Sequence, residues 1–197
     1  MRVVFIGDIF GRCGREALET YLPEIKEKSK ADIIIVNGEN SAHGRGINPK
    51  IADEFFDLGV DCITTGNHIW DQREIIPYIT KNANIIRPIN FPDGTPGKGL
   101  IEISLDDGRK AVIANVMCRL FMDPLDDPFQ ILEKKLNLYK LGQNCQMIFI
   151  DCHGEATSEK IAMAHYFDGS ISALVGTHTH IPTSDYHILE NGTAFQS

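Results

Sequence analysis

The chain has 197 residues, of which 43% are hydrophobic and 23% charged, the proportions of an ordinary globular protein. It carries 19 Lys and Arg against 27 Asp and Glu, and this net charge of -8 argues against a broad electrostatic footprint on DNA, RNA or an anionic membrane. We therefore expect one domain over residues 1–197, with no nucleic-acid or membrane surface.

The five cysteines form no CxxC pair, so we interpret them as thiols in a reducing compartment. Met1 and Arg2 lead directly into an apolar run, and no signal peptide or membrane span is visible. The sequence therefore predicts a cytoplasmic protein.

The first 80 residues alternate between short apolar runs and segments with helical spacing of apolar residues, which predicts a mainly parallel sheet. Strands are predicted at Val3–Ile6, Ile33–Val36 and Cys62–Thr65, and helices at Arg15–Lys28, Pro49–Leu58 and Glu74–Thr80.

The pattern then changes to one typical of antiparallel strands, which indicates a second sheet or an extension at the edge of the first. Strands are predicted at Ile85–Ile86, Leu100–Leu105 and Ala111–Met117, with a hairpin turn at Asp106–Arg109. Helices at Phe129–Leu141 and Glu159–Phe167 then alternate with strands at Met147–Ile150 and Ser172–Val175. Asn191-Gly192 predicts a last hairpin between His187–Leu189 and Thr193–Phe195.

Five of the apolar runs are each followed by residues that bind metals or transfer protons. They are Asp8, Glu39 with Asn40, Asn67 with His68, His153, and His178 with His180. The runs lack polar alternation, so we expect central strands that are buried on both faces. If these strands are neighbours, their carboxyl ends bring all the polar side chains to one edge of a sheet.

Seven of these side chains are candidate metal ligands: two carboxylates, two amides and three imidazoles. That is too many donors for one tetrahedral ion and suits two ions with five or six ligands each. Because no cysteine accompanies them, a structural zinc site is not expected. Two divalent ions and two carboxylates would leave net positive charge, which would attract a phosphate anion to an acidic protein.

Gly7, Gly11 and Gly14 superficially resemble a nucleotide-binding glycine loop. Their spacing is G-x3-G-x2-G instead of G-x-G-x-x-G, and Asp8 would repel a pyrophosphate. We therefore set a Rossmann site aside.

The segments GDIFG, NGEN, GNH, DCHGEATSEK and GTHTHIPT occur in this order along the whole chain. In order and spacing they resemble the calcineurin-like metallophosphoesterases, and more closely the YmdB family of bacterial 2′,3′-cyclic-nucleotide 2′-phosphodiesterases. The resemblance implies an α/β fold, an α/β/β/α sandwich with mixed sheets and with the metal ligands at the carboxyl ends of the strands.

The same resemblance implies a dinuclear site with iron or manganese, in which Glu39 is shared between the two ions. It assigns Asp8, Glu39, Asn40 and His180 to one ion, and Glu39, Asn67, His153 and His178 to the other. His68 resembles the family's proton donor. These assignments make His68 the expected catalytic residue and give no substrate-binding residues.

Two features depart from the pattern. The first motif of the wider superfamily is Asp-x-His, whereas this chain has Asp8-Ile9-Phe10, so Asn40 is expected to replace the missing histidine. Family members also usually continue beyond Thr193-Ala194, and we therefore expect a C-terminally shortened domain.

The function that the resemblance implies is hydrolysis of 2′,3′-cyclic nucleotides to 3′-nucleotides by a metal-bridging hydroxide, with His68 as proton donor. A phosphomonoesterase or a 3′,5′-cyclic nucleotide phosphodiesterase would use the same metal core. A catalytically weak protein that senses nucleotides is a third hypothesis. The expected partner is a small anionic nucleotide, and a homo-oligomer that covers the strand edge near Ser197 stays open.

Overall fold

The computed structural model describes residues 1–197, which form two compact units. The first unit comprises residues 1–87 and 96–98, and the second comprises residues 88–95 and 99–197. Each unit contains one sheet.

The first unit is a three-stranded parallel sheet with helical connections, as predicted. Its strands lie in the order β1-β2-β3. Its elements are β1 (Val3–Ile6), α1 (Gly11–Ser29), β2 (Ile33–Asn37), α2 (Pro49–Asp57), β3 (Cys62–Thr64) and α3 (Ile75–Lys81). Ile85 and Ile86 form isolated bridges to Ile63 and Lys98 instead of a full strand.

The helix boundaries of this unit have local causes. The helix α2 begins after Asn48, whose side chain accepts a hydrogen bond from the Ile51 N–H at 2.9 Å, and Pro49 fills the first helical position. The helix α1 starts at Gly11, four residues before the predicted start, so the glycine-rich segment forms its first turn. It ends at Ser29, and the next residue, Lys30, adopts the left-handed conformation with φ of 50°.

The second unit is a six-stranded mixed sheet in the order β4-β5-β6-β7-β9-β8. Strands β5, β6, β7 and β9 are parallel, whereas β4 and β8 run antiparallel to their neighbours, which confirms both predicted hairpins. Its elements are β4 (Leu100–Ser104), β5 (Lys110–Met117), α4 (Pro128–Leu136), β6 (Met147–His153), α5 (Thr157–Tyr166), β7 (Ala173–Thr177), β8 (His187–Ile188) and β9 (Ala194–Gln196).

The core of the second unit lies under its two helices. Alternate residues of β5 and β6, such as Val112 and Ile150, pack with Leu132 of α4, with Met163 of α5 and with Phe167, the residue that follows α5. The helix α4 ends at Leu136 instead of the predicted Leu141. The apolar residues beyond this point mislead the prediction, since Leu138 is 75% exposed.

The five apolar runs are not neighbours in one sheet. Three form the sheet of the first unit, and the other two, β6 and β7, lie in the sheet of the second. Complete burial is right for β2, β3 and β6. It is wrong for β7, which has a central position but is only partly buried, and for β1, which is a half-buried edge strand and not a central one. The α/β fold class with mixed sheets is confirmed. None of the five helices combines the length and the apolar character of a transmembrane span.

Candidate functional site

In the first unit, the predicted ligands follow the carboxyl ends of three adjacent parallel strands. Asp8 lies just after β1, Glu39 and Asn40 just after β2, and Asn67 just after β3. Because the three strands are parallel, these residues share one edge of the sheet, where α/β proteins place their ligands.

Glu39 is the buried carboxylate of this edge, with no exposed surface. The backbone N–H of His68 donates to its Oε2 at 3.1 Å, which links the segments that follow β2 and β3. Burial of a carboxylate costs several kcal/mol of hydration free energy, and a nearby positive charge offsets this cost. Glu39 is therefore well suited to bind a cation.

The side-chain amide of Asn40 has a fixed orientation. It is 3% exposed, and its Nδ2 donates to the Gly44 carbonyl at 3.0 Å. Because the nitrogen is the donor of this hydrogen bond, the amide oxygen of Asn40 is the candidate ligand atom. Hard cations bind oxygen atoms of this kind.

His68 is held by a carboxylate at one ring nitrogen. Its Nδ1 lies 2.9 Å from Asp71 Oδ2, and the two side chains are 26% and 38% exposed. An ionised Asp71 accepts a hydrogen bond, so it favours the proton on Nδ1 and leaves Nε2 as the nitrogen for proton transfer. Asp71 is absent from the predicted site, although its spacing of three residues from His68 is a local signal.

In the second unit, His153 and His178 come from the ends of two paired strands. Parallel pairing of β6 and β7 places His153 opposite Thr177, and His178 is the next residue. The two imidazoles meet edge to face, with ring centroids 4.9 Å apart and an interplanar angle of 77°.

The nearest ring nitrogens, His153 Nε2 and His178 Nδ1, lie 3.2 Å apart. Two nitrogens at about 2.1 Å from one ion and at right angles would be about 3.0 Å apart. The pair therefore has the spacing of two ligands of one ion, as well as that of a hydrogen bond between the rings.

The outer nitrogens of both rings have partners that the sequence analysis missed. Nδ1 of His153 lies 2.9 Å from Thr177 Oγ1, and that hydroxyl donates to Asp151 Oδ1 at 2.6 Å. Nε2 of His178 lies 3.3 Å from Glu155 Oε2. A carboxylate inside an apolar strand, as Asp151 is, was the available signal.

The backbone is unusual at three of the predicted ligands. Only six non-glycine residues of the chain have positive φ, and they include Asp8 at 45°, His178 at 101° and the exposed His180 at 57°. Such conformations cost about 1–3 kcal/mol each and are concentrated at functional sites.

Comparison with known proteins identifies the family. A sequence model described as "YmdB-like protein" matches residues 4–197. The 2′,3′-cyclic-nucleotide 2′-phosphodiesterase of Bacillus subtilis is 46% identical over 195 residues, which cover 99% of this chain and 73% of that protein.

Two solved structures are similar over nearly the whole chain. A hypothetical protein from Thermus thermophilus has a TM-score of 0.92 and 42% identity, covering 100% of this chain and 75% of its own. A structure titled as a novel phosphatase from Mycoplasma pneumoniae has a TM-score of 0.91 and 31% identity, covering 99% and 70%.

The fold is that of a metallophosphoesterase. The chain belongs to the YmdB-like family, which confirms the resemblance seen in its motifs.

Proposed function

We propose that this protein is a metal-dependent phosphodiesterase that hydrolyses 2′,3′-cyclic nucleotides to 3′-nucleotides. The observation that carries the proposal is the 46% identity, over 99% of the chain, with a Bacillus subtilis protein named for this activity. The broader prediction of an enzyme, a phosphoesterase, is confirmed by family membership.

The donor chemistry of the chain fits two divalent ions. The predicted ligands are oxygen and nitrogen atoms without a thiolate, a set that suits iron or manganese. We assign Asp8, Glu39, Asn40 and His180 to one ion, and Glu39, Asn67, His153 and His178 to the other. When bound, the ions would neutralise phosphate charge and supply Lewis acidity for attack by water.

His68 is the proposed general acid. A water molecule releases one proton to solvent as its oxygen adds to phosphorus, and the bond from phosphorus to the ribose 2′ oxygen breaks. The proton on His68 Nε2 passes to that oxygen as it leaves. The hydrogen bond between Nδ1 and Asp71 keeps the ring oriented for this transfer. The phosphate stays on the 3′ oxygen.

The metal core by itself does not select the ester, so the substrate has to be tested against close alternatives. Purified protein with Mn²⁺ is incubated separately with 2′,3′-cyclic AMP, 3′,5′-cyclic AMP and p-nitrophenyl phosphate, and products are separated by chromatography. We expect 3′-AMP from the first substrate and much slower turnover of the others. Faster release of p-nitrophenol would favour a phosphomonoesterase, and binding of cyclic AMP without turnover would favour a sensor.

We also propose the identity and number of the metal ions, the partner and the cellular compartment. Elemental analysis of protein purified without chelators should find about two ions of iron or manganese per chain. The small anionic nucleotide is the proposed partner, and the cytoplasm is the proposed compartment. A single ion, or none, would contradict the dinuclear assignment.

A further inference from the structure

Three buried polar side chains of the second unit form a continuous hydrogen-bonded line. Asp151 and His153 lie on β6 with no exposed surface, and Thr177, at the end of β7, is 2% exposed. Asp151 and His153 are two residues apart, so they point to the same face of the sheet, and Thr177 is the registered partner of His153. The pleat of the sheet itself therefore brings the three together.

The line has a defined direction. A threonine hydroxyl has one hydrogen, and that of Thr177 is donated to Asp151 Oδ1 at 2.6 Å. The hydroxyl oxygen is therefore the acceptor at 2.9 Å from His153 Nδ1, and the ring must carry its proton on Nδ1. In the neutral ring, Nε2 then presents a lone pair.

The lone pair points toward a second predicted ligand of the unit, His178. Nε2 of His153 is the atom that lies 3.2 Å from His178 Nδ1. A buried carboxylate in an apolar strand is expensive for stability when an apolar residue could take its place. A role in setting the state of His153 accounts for its presence.

We propose that Thr177 and Asp151 are positioning residues that fix the tautomer and the ring orientation of His153, so that Nε2 is ready to bind a metal ion. The inference rests on the proposed metal-dependent function, but it concerns the metal-free protein as well. Partners of this kind typically change metal affinity about 10–100-fold when they are removed.

The decisive variant is Thr177→Val, which keeps the shape of the side chain and removes the hydroxyl. Mn²⁺ affinity of the metal-free protein, measured by calorimetry, should fall about 10–100-fold, and Thr177→Ser should restore most of it. Thr193→Val is the matched control, because Thr193 is a buried threonine of the same unit that donates to the Ile171 carbonyl. It should lower thermal stability while Mn²⁺ affinity stays within about 3-fold of the original protein.

A second measurement reads the tautomer directly. In metal-free protein with ¹⁵N-labelled histidine, the ring of His153, assigned by its loss in His153→Gln, should be protonated on Nδ1. Thr177→Val should lose this preference. A His153 ring protonated on Nε2, or unchanged Mn²⁺ affinity in Thr177→Val, would overturn the inference.

The two proposals fail in different ways. If the original protein binds no Mn²⁺ but His153 carries its proton on Nδ1, the proposed function fails and the tautomer assignment stands. If Mn²⁺ binds normally and the tautomer is the opposite one, only the positioning role is lost. Should Thr177→Val not fold, the spectrum of the original protein decides.

Discussion

His153 Nε2 and His178 Nδ1 lie 3.2 Å apart, although the two residues are separated by 25 positions in the chain. Parallel pairing of β6 with β7 creates this proximity. Both rings therefore sit at the end of rigid elements, where the geometry of a ligand pair is set by the sheet.

Removing either ring should reduce metal binding. We expect His178→Ala and His153→Ala to lower the metal content from about two ions per chain toward one. Each variant loses a nitrogen ligand of the ion that we assign to both histidines. Elemental analysis after dialysis measures this. His165→Ala, an exposed position on α5, is the control and should retain full content. Unchanged metal in both site variants would contradict the ligand assignment.

Replacing His68 should separate catalysis from metal binding. We expect His68→Ala to reduce kcat for 2′,3′-cyclic AMP by about 10²–10⁴-fold, the usual contribution of a general acid. Metal content should stay near that of the original protein, since His68 is assigned no ligand role. Loss of metal along with activity would show that His68 binds an ion instead.

The partner of His68 can be tested on its own. Asp71→Asn replaces the carboxylate acceptor at 2.9 Å with an amide, so the His68 ring is no longer held in one orientation. We expect about a 10-fold loss in kcat for 2′,3′-cyclic AMP with little change in KM. Asp93→Asn, at an exposed loop position, serves for comparison and should behave normally. A kcat equal to that of the original protein would argue against the orienting role.

The cysteines should differ sharply in reactivity. The hydrogen bond with Cys118, at 3.4 Å between the sulfur atoms, and burial together raise the pKa of the Cys152 thiol well above its usual value. Since the thiolate is the reactive form, Cys152 should resist alkylation in the native protein even at about pH 9, whereas exposed Cys13 should react. Mass spectrometry after iodoacetamide treatment locates the label, and Cys13→Ser should abolish the fast phase. Rapid labelling of Cys152 would mean that the core opens readily.

Much of the fold could be predicted because its signals are local. Apolar runs such as Ile33–Val36 mark strands, and Asn191-Gly192 marks a hairpin, without knowledge of the rest of the chain. A second sheet is one of the possibilities that the sequence indicates, but the assignment of each apolar run to one of the two sheets could not be predicted, because strand pairing depends on contacts between distant residues. The half-buried edge position of β1 is hidden for the same reason.

The candidate site shows the same division. Polar residues after apolar runs, such as Asp8 and Glu39, are visible in the sequence, and the structure places them at one edge of the first sheet. The supporting residues are harder to find. Thr177 and Asp151 have meaning only through the register of β6 with β7, which no local pattern specifies.

The positive φ of 101° at His178 has a consequence for how this protein can evolve. Glycine adopts that conformation without steric cost, so His178→Gly should raise the thermal unfolding temperature even as it removes an imidazole. If stability alone were selected, glycine would be favoured at this position. Histidine here lowers stability and supplies a predicted metal ligand. Libraries screened only for heat resistance should therefore accumulate inactive members at this codon.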